Sequence, residues 1–320
     1  MMLTRPISDH VSPTTTVDIE SNNMMAVEVQ GIWKKYGNRT VVNDVSFTVQ
    51  PGEVLGMVGP NGAGKTTTMR MLLDIVQPDK GTVQLFGRRF SREHRTMLGY
   101  LPEERGLYRD LSVQETLEYL GTLKGMHRSD ARQRAVEVLE LLEMTEHRGK
   151  KIAELSRGMG QLIQFGVTII HQPRLLVLDE PFSGLDPLNV RLMKEILGQL
   201  RADGVAIILS THQMNQVEEI CDQVLMINKG RVVLYGSLEE VRSGFGQGSI
   251  HVEAAKLPEE LPGVQKIMDH GTYQELVMAD DSSSTDVFRA LADLEIEVSR
   301  FQVARLPLEE IFVRIVRDES

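Results

Sequence analysis

The stretch that decides the fold is Gly59-Pro60-Asn61-Gly62-Ala63-Gly64-Lys65-Thr66. It follows the pattern G-x-x-x-x-G-K-[ST], in which glycines let backbone N–H groups curl around phosphate oxygens at the start of a helix. Lys65 then supplies a positive charge to the terminal phosphates, and Thr66 offers a hydroxyl to Mg²⁺. Because the apolar run Val54–Val58 precedes the loop, the expected unit is a buried strand, a phosphate loop and a helix.

Two adjacent carboxylates, Asp179 and Glu180, close a second apolar run, Leu175–Leu178. Strand ends in an open α/β sheet face the ligand crevice. Alone, such a pair is usually only solvated, but after a phosphate loop it predicts that one carboxylate holds Mg²⁺ and the other polarises a water. His212 ends the next apolar run, Ala206–Leu209, so its position predicts a contact with the γ-phosphate.

The apolar runs indicate the fold class. Strands that are apolar throughout suit a sheet covered on both faces, which predicts an α/β fold of the P-loop NTPase type. Between two of these strands, over about residues 112–170, apolar residues follow helical spacing, as with Val113, Leu117 and Leu120, which predicts a helical insert. Further on, a hairpin is expected to turn near Gly230.

The chain divides into three predicted parts. Residues 1–24 are polar and rich in Thr and Ser, and are expected to form a disordered extension; residues 25–242 form the nucleotide-binding domain. A glycine-rich linker, Ser243–Gly248, leads to a small α+β domain over 249–320. Its predicted elements are strands at Ile250–Glu253, Tyr273–Met278 and Ile296–Val303, and helices at Thr285–Leu294 and Pro307–Val316.

Composition restricts the partners and the compartment. A formal net charge of -10 argues against binding nucleic acid through a broad basic face. Cys221 is the one cysteine in the sequence, so no disulfide forms within the chain and a reducing compartment is expected. No apolar run approaches the ~20 residues of a membrane helix, so any membrane association is expected to come through a partner.

The motifs together resemble those of the ATPase subunits of ABC transporters. The matching segments are Gly59–Thr67, Leu155–Met159, Leu175–Glu180, Ser183–Asp186 and His212. Their order and spacing over residues of about 26–240 are those of the family. The resemblance implies ATP and Mg²⁺ as cofactors, ATP hydrolysis as the activity, and two sites shared by two nucleotide-binding domains, because the chain has one phosphate loop.

The resemblance also implies roles for single residues. Tyr36 resembles the aromatic residue that stacks on adenine, and Thr67 follows Thr66 in the loop that holds ATP. Asp179 resembles the Mg²⁺ ligand, Glu180 the general base and His212 the switch histidine. Three residues are expected to act on the partner's ATP across the dimer: Ser156, Gly158 and Asp186.

Three departures from the family pattern stand out. Glu103 replaces the usual glutamine of the loop that enters the helical insert, and as a carboxylate it can still meet Mg²⁺ or its water. The signature segment reads Leu155-Ser156-Arg157-Gly158-Met159 in place of Leu-Ser-Gly-Gly-Gln. Gly160 and Leu162 then stand where Gln and a basic residue are usual, which removes two expected anchors of that helix.

Within the family, the chain resembles ATP-binding subunits of sodium-efflux-like exporters with an appended C-terminal domain. The resemblance rests on Pro102–Tyr108, Gly158-Met159 and Pro307–Phe312. It implies an exporter motor that is cytoplasmic and peripheral on the inner face of the membrane through a separate permease, as a homodimer or a heterodimer. The alternatives are a soluble family member acting on ribosomes or DNA, which usually carries two cassettes or a coiled coil, and a P-loop GTPase, whose Asn-Lys-x-Asp motif is missing at Asn228–Arg231.

Overall fold

The strands and helices were located in a computed structural model of the chain. It describes residues 24–104, 106–244, 249–254, 257–258, 260–279, 282–304 and 306–318. The extension predicted for 1–24 therefore lies almost wholly outside the described residues. So does most of the predicted linker, although helix reaches Gly244.

The strands, in chain order, are β1 (Val27–Tyr36), β2 (Arg39–Val49), β3 (Val54–Val58), β4 (Lys80–Leu85), β5 (Arg88–Arg89), β6 (Leu98–Leu101), β7 (Leu175–Asp179), β8 (Ala206–Thr211), β9 (Gln223–Asn228), β10 (Arg231–Ser237), β11 (Ser249–Ala254), β12 (Val264–Asp269), β13 (Gln274–Met278) and β14 (Val298–Val303). The helices are α1 (Lys65–Leu72), α2 (Val113–Leu123), α3 (Arg128–Leu141), α4 (Arg157–Ile169), α5 (Pro187–Ala202), α6 (Met214–Ile220), α7 (Leu238–Gly244), α8 (Ser284–Asp293) and α9 (Leu308–Asp318). None of the helices within the described ranges is long and apolar enough to span a bilayer.

The central sheet has six strands in the order β10-β9-β3-β8-β7-β6. All neighbours are parallel except β10, which folds back on β9 as the hairpin expected near Gly230. Strands β3, β7 and β8 are buried at every position, as expected for a sheet covered on both faces. The predicted α/β class is confirmed.

The register of this sheet assembles the site. Val58 at the end of β3 pairs with Thr211, and Asp179 at the end of β7 pairs with Ser210. The phosphate loop, Glu180 and His212 follow directly after β3, β7 and β8. Because parallel strands end at one edge of a sheet, all three arrive at the same edge.

Two apolar clusters cover the two faces of the central sheet. One face packs against α1 and an antiparallel sheet in the order β2-β1-β4-β5. The other packs against α4, α5 and α6 and against α2 and α3 of the helical insert, which occupies 113–169 close to its predicted bounds. Alternation along β3 divides its side chains, with Leu55 and Met57 on the first face and Val54 and Val58 on the second.

The C-terminal segment has its own small core. Strands in the order β12-β13-β11-β14 form an antiparallel sheet, and α8 packs Val287 and Leu291 on one face of it. The edge strand β12 is absent from the sequence prediction, because its mixed exposure along Val264–Asp269 gives no alternating pattern. Helix α9 does not join this core. Its residues Leu308 and Ile311 are fully buried in the large cluster of the nucleotide-binding part instead.

Candidate functional site

The phosphate loop is built from glycines that no other residue could replace without strain. Gly59, Gly62 and Gly64 have φ values of 149°, 77° and 111°, which L-residues rarely adopt. A Cβ on Gly59 would lie 2.1 Å from the carbonyl oxygen of Ile227, and one on Gly64 would lie 2.6 Å from that of Val41. The loop is therefore pressed tightly between the ends of β9 and β2.

The turn of the β9–β10 hairpin is hydrogen-bonded to this loop. The amide of Gly230 donates to the carbonyl oxygen of Ala63 at 2.9 Å, and its carbonyl oxygen accepts from the amide of Asn43 at 2.8 Å. With a φ of 82°, Gly230 would also bring a Cβ to 2.5 Å from the carbonyl oxygen of Val41. Gly230 is thus a structural part of the site that the sequence marked only as a turn.

Lys65 opens α1 and lies almost fully buried beside the loop. Its Nζ donates to the carbonyl oxygens of Gly59 at 2.7 Å and Pro60 at 3.3 Å. Burial lowers the pKa of Lys65, and the negative charges of Glu180, Asp179 and Glu103 offset part of that shift. The Lys65 ammonium therefore lies buried near three carboxylates. A bound phosphate would add negative charge there and stabilise the charged form of the lysine.

A cleft of about 310 Å³ opens over the loop. The residues that line it are Val41, Asn61, Gly62, Ala63, Gly64, Lys65, Thr66, Thr67, Glu103, Asp179, Glu180, Ser183 and His212. Most of the predicted phosphate, metal and catalytic residues thus meet in one cavity. Gly59 and Pro60 belong to the loop but contribute backbone behind it.

Asp179 and Glu180 are held by a serine that sequence reasoning missed. Ser210 is fully buried, and its Oγ donates to Oδ1 of Asp179. The amide of Glu180 points at Ser210 as well, at 3.1 Å from Oγ and 3.2 Å from the carbonyl oxygen. These contacts hold Glu180 at a φ of 49°, a left-handed conformation that is uncommon for a non-glycine residue.

His212 contacts the predicted general base. Its Nδ1 lies 3.0 Å from Oε1 of Glu180. Because a carboxylate only accepts hydrogen bonds, the hydrogen lies on Nδ1, which leaves Nε2 as the atom available to a ligand. The structure therefore adds a second partner for a histidine that the sequence related to phosphate alone.

The donor set fits a magnesium ion. Asp179 is 1% exposed, and its Oδ2 has no hydrogen-bond partner among the described residues. A buried carboxylate oxygen without a partner is costly, and the Thr66 hydroxyl and the Glu103 carboxylate line the same cleft. Carboxylate and hydroxyl oxygens are the ligands that Mg²⁺ prefers.

Four further predicted residues, apart from Gly59 and Pro60, do not line this cleft. Tyr36 ends β1 and is 51% exposed. Ser156 caps α4 by accepting from the amide of Met159, and Asp186 caps α5 by accepting from the amides of Leu188 and Asn189. Gly158 lies beside this second cap, since a Cβ there would be 3.9 Å from Nδ2 of Asn189. Ser156, Gly158 and Asp186 therefore form a separate group outside the cleft.

Two glutamines anchor α4 where the family's usual residues are replaced. Nε2 of Gln164 donates to the carbonyl oxygens of Pro102 and Glu104, both at 3.2 Å, and so brackets Glu103. Nε2 of Gln161 donates to the carbonyl oxygen of Pro181 at 3.2 Å. Helix α4 is thus tied to the segments that follow Tyr100 and Glu180, despite Gly160 and Leu162.

Comparison with known proteins gives the family. Residues 42–183 match the model of the ABC transporter family, and residues 236–316 match that of the C-terminal domain of the DrrA1-3-like ATP-binding proteins. The second match confirms an appended C-terminal domain. The chain is 34% identical over 291 residues to YhaQ of Bacillus subtilis, an uncharacterized ABC transporter ATP-binding protein, which covers 90% of this chain and 97% of that one.

Two further relatives have names that state a function. The linearmycin resistance ATP-binding protein LnrL of Bacillus subtilis is 35% identical, covering 70% of this chain and 73% of its own. The Nod factor export ATP-binding protein I of Paraburkholderia xenovorans is 39% identical, covering 66% and 71%. A solved structure of an ATP-binding subunit of an ABC transporter superposes with a TM-score of 0.65 at 30% identity, covering 69% of this chain and 93% of its own. With a phosphate loop, two carboxylates and a histidine at one sheet edge, and with a relative that covers 90% of its length, the chain belongs to the ABC transporter ATP-binding proteins and is an ATPase.

Proposed function

We propose that the chain is the ATP-hydrolysing motor subunit of an exporter, and that it drives transport through a separate membrane permease. The observation that carries the catalytic part is the meeting of Lys65, Asp179, Glu180 and His212 in one cleft. The relatives named for Nod factor export and for linearmycin resistance support an exporter.

Each residue of the cleft has a role in this proposal. Backbone N–H groups of Gly62 to Thr67 hold the phosphates at the start of α1, and Lys65 neutralises the β- and γ-phosphates. Bound Mg²⁺ would be held by Thr66, Asp179 and Glu103, and would supply positive charge to the phosphate oxygens. Glu180 takes the proton of the attacking water, and the Nδ1–H of His212 orients its carboxylate for that step. Tyr36 stacks on adenine.

The second ATPase domain is part of the same proposal. Ser156 and Gly158 of the signature segment, and Asp186 of the loop expected to link the two sites, do not line the cleft of their own chain. In the proposed dimer they complete the cleft of a facing subunit, where the Ser156 hydroxyl, at the start of α4, meets the partner's γ-phosphate.

An exposed apolar depression supports the permease as a partner. It has a volume of about 350 Å³ and lies between α1, β6 and the end of α2. Ile75 and Leu123 on its rim are 58% and 63% exposed, and Lys124 and Arg95 lie beside them. Exposed apolar patches rimmed by polar residues mark protein interaction sites. Through the permease the chain would sit on the inner face of the membrane.

The permease proposal is tested by capture from the host cell membrane. The tagged chain is expected to co-purify with a polypeptide that has membrane-spanning helices and that changes the ATPase rate when both are placed in lipid vesicles. Leu123→Asp is expected to lose this polypeptide while it retains the ATPase rate of the isolated chain, because the depression becomes charged. The control, Leu294→Asp, changes another exposed leucine, which follows α8 and is 51% exposed. Loss in both variants, or in neither, contradicts this docking site.

A further inference from the structure

Helix α6 connects the catalytic histidine to the C-terminal helix. It begins at Met214, two residues after His212, and spans seven residues. The N-cap residue before it, Gln213, makes no side-chain capping hydrogen bond. A helix of two turns is marginal by itself. The position of α6, and with it the position of the His212 backbone, is therefore set by what packs against it.

One side of α6 lies against the strand that leads into the phosphate loop. A Cβ on Gly56 of β3 would lie 2.7 Å from Cγ1 of Val217 and 2.9 Å from Sγ of Cys221. Glycine therefore allows α6 to approach the β3 backbone as closely as it does. Because α6 already contacts the β3 backbone at Gly56, it has no room to move closer to the sheet.

Helix α9 also packs against α6. Leu308 and Ile311 of α9 are fully buried in the same cluster as Val217. The amide of Leu308, at the first turn of α9, donates to Oε1 of Glu218 at 2.7 Å. Nη2 of Arg242 in α7 lies 3.1 Å from the same carboxylate oxygen. One carboxylate thus joins α6, α7 and α9.

We propose that Glu218 is a positioning residue for hydrolysis, and that the docking of α9 on it fixes α6 so that His212 meets Glu180. The proposal rests on the proposed role of His212 and assigns the C-terminal segment an effect on the hydrolytic step. Nucleotide binding is left to the phosphate loop, which makes no contact with Glu218 among the contacts of the described residues.

The test compares three substitutions in the full chain. Glu218→Ala removes the acceptor for the Leu308 amide and the partner of Arg242, and kcat is expected to fall about tenfold, since a misplacement of about 1 Å can cost about 100-fold in rate. Glu218→Gln keeps an acceptor for the amide and is expected to retain at least half of kcat. Arg242→Ala keeps the Leu308 contact and is expected to do the same. The affinity for MgATP is expected to be unchanged in all three.

A matched control and a double substitution separate positioning from general stability. Glu310→Gln removes a carboxylate of α9 whose one partner among the described residues is Arg314 of the same helix, and this variant is expected to behave as wild type. In single-turnover assays, Glu218→Ala is expected to add nothing to the loss caused by His212→Ala. If Glu218→Ala does not fold, Ile311→Ala, which thins the α9 contact, replaces it with the same expected results.

Three outcomes overturn the proposal. They are a wild-type kcat in Glu218→Ala, a parallel loss of MgATP affinity, and a further loss on top of His212→Ala. A His212→Ala variant that hydrolyses ATP at the wild-type rate would instead contradict the proposed role of His212 itself, so the two failures are distinguishable.

Discussion

At the scale of single residues, the site depends on a serine near the end of a buried strand. Ser210 contacts both Asp179 and Glu180, so it positions the proposed metal ligand and the proposed general base together. Neither contact involves the phosphate loop. Removal of the hydroxyl should therefore change the rate of hydrolysis and spare the binding of ATP.

Ser210→Ala is expected to lower kcat by about tenfold to 100-fold, the range expected when a catalytic group is displaced by up to about 1 Å. The dissociation constant for ATP without Mg²⁺ should stay within twofold. The comparison variant is Ser237→Ala, whose hydroxyl bonds to Glu240 in the first turn of α7. A Ser210→Ala enzyme with wild-type kcat would mean that the Asp179 carboxylate keeps its place through β7 alone.

A second residue-scale effect concerns pH. His171 lies after α4, and its Nε2 is 2.9 Å from the carbonyl oxygen of Leu98. Burial lowers the pKa of His171 to about 4. Between pH 6.5 and 4, therefore, His171 binds a proton in the unfolded chain but not in the folded chain. The contribution of His171 to the free energy of unfolding is therefore complete above pH 6.5 and is lost as the pH falls toward 4.

His171→Gln keeps an N–H donor for Leu98 and does not titrate. The decrease in the free energy of unfolding between pH 7 and pH 5 is expected to be smaller in this variant by about 2 kcal/mol, given 1.36 kcal/mol per pKa unit. Urea denaturation of both proteins at the two pH values measures this difference. Equal decreases would show that His171 is protonated in the folded protein.

At the scale of elements, α4 carries a residue with two separate tasks. Ser156 caps the helix and, in the proposal above, also faces the partner's γ-phosphate. Ser156→Ala removes the cap, which lowers the free energy of unfolding by about 0.5–2 kcal/mol. It adds no bulk at the proposed dimer interface. Ser156→Arg removes the cap and also places a long side chain where the partner's phosphate would lie.

Ser156→Arg is expected to abolish ATP-driven dimerisation and to leave ATP binding by the monomer intact. Ser156→Ala is expected to weaken dimerisation only in part. Sedimentation with and without MgATP measures the first property, and titration with a fluorescent ATP analogue measures the second. If dimerisation and monomer binding are lost together in Ser156→Arg, the serine acts within its own chain.

The elements also show what a sequence can predict. Strands β3, β7 and β8, the phosphate loop and the carboxylates follow from local patterns, since each motif lies at the end of an apolar run. Ser210 and Gly230 do not, because their roles arise from the pairing of β7 with β8 and from a turn that meets a distant loop. The helix near Pro307–Val316 was predicted, but an apolar stripe does not say which core it joins.

At the scale of the whole molecule, the prediction concerns two chains. Glu180→Gln keeps the size of the side chain and an oxygen that can accept from Nδ1 of His212, but the amide cannot take a proton. General-base contributions are typically about 10²–10⁴-fold, so ATP should remain bound and uncleaved between two subunits. The variant is expected to elute as a dimer with MgATP and as a monomer without it.

Two comparisons make this test specific. Asp179→Asn should bind Mg²⁺ poorly and stay monomeric, and Glu195→Gln, which changes an exposed carboxylate of α5, should behave as wild type. A Glu180→Gln protein that binds MgATP and remains monomeric would mean that Glu180 is not the base or that the partner is a different chain.

The docking of α9 also has a consequence for biosynthesis. The amide of Leu308 meets Glu218 across 90 residues of sequence, so a ribosome makes the α6 surface long before it makes the helix that covers it. At about 5–20 residues per second, that surface stays bare for roughly 5 to 20 s in every round of translation. During this time the apolar surface of α6 that α9 later covers is exposed in the nascent chain. A chaperone would bind the chain in this interval.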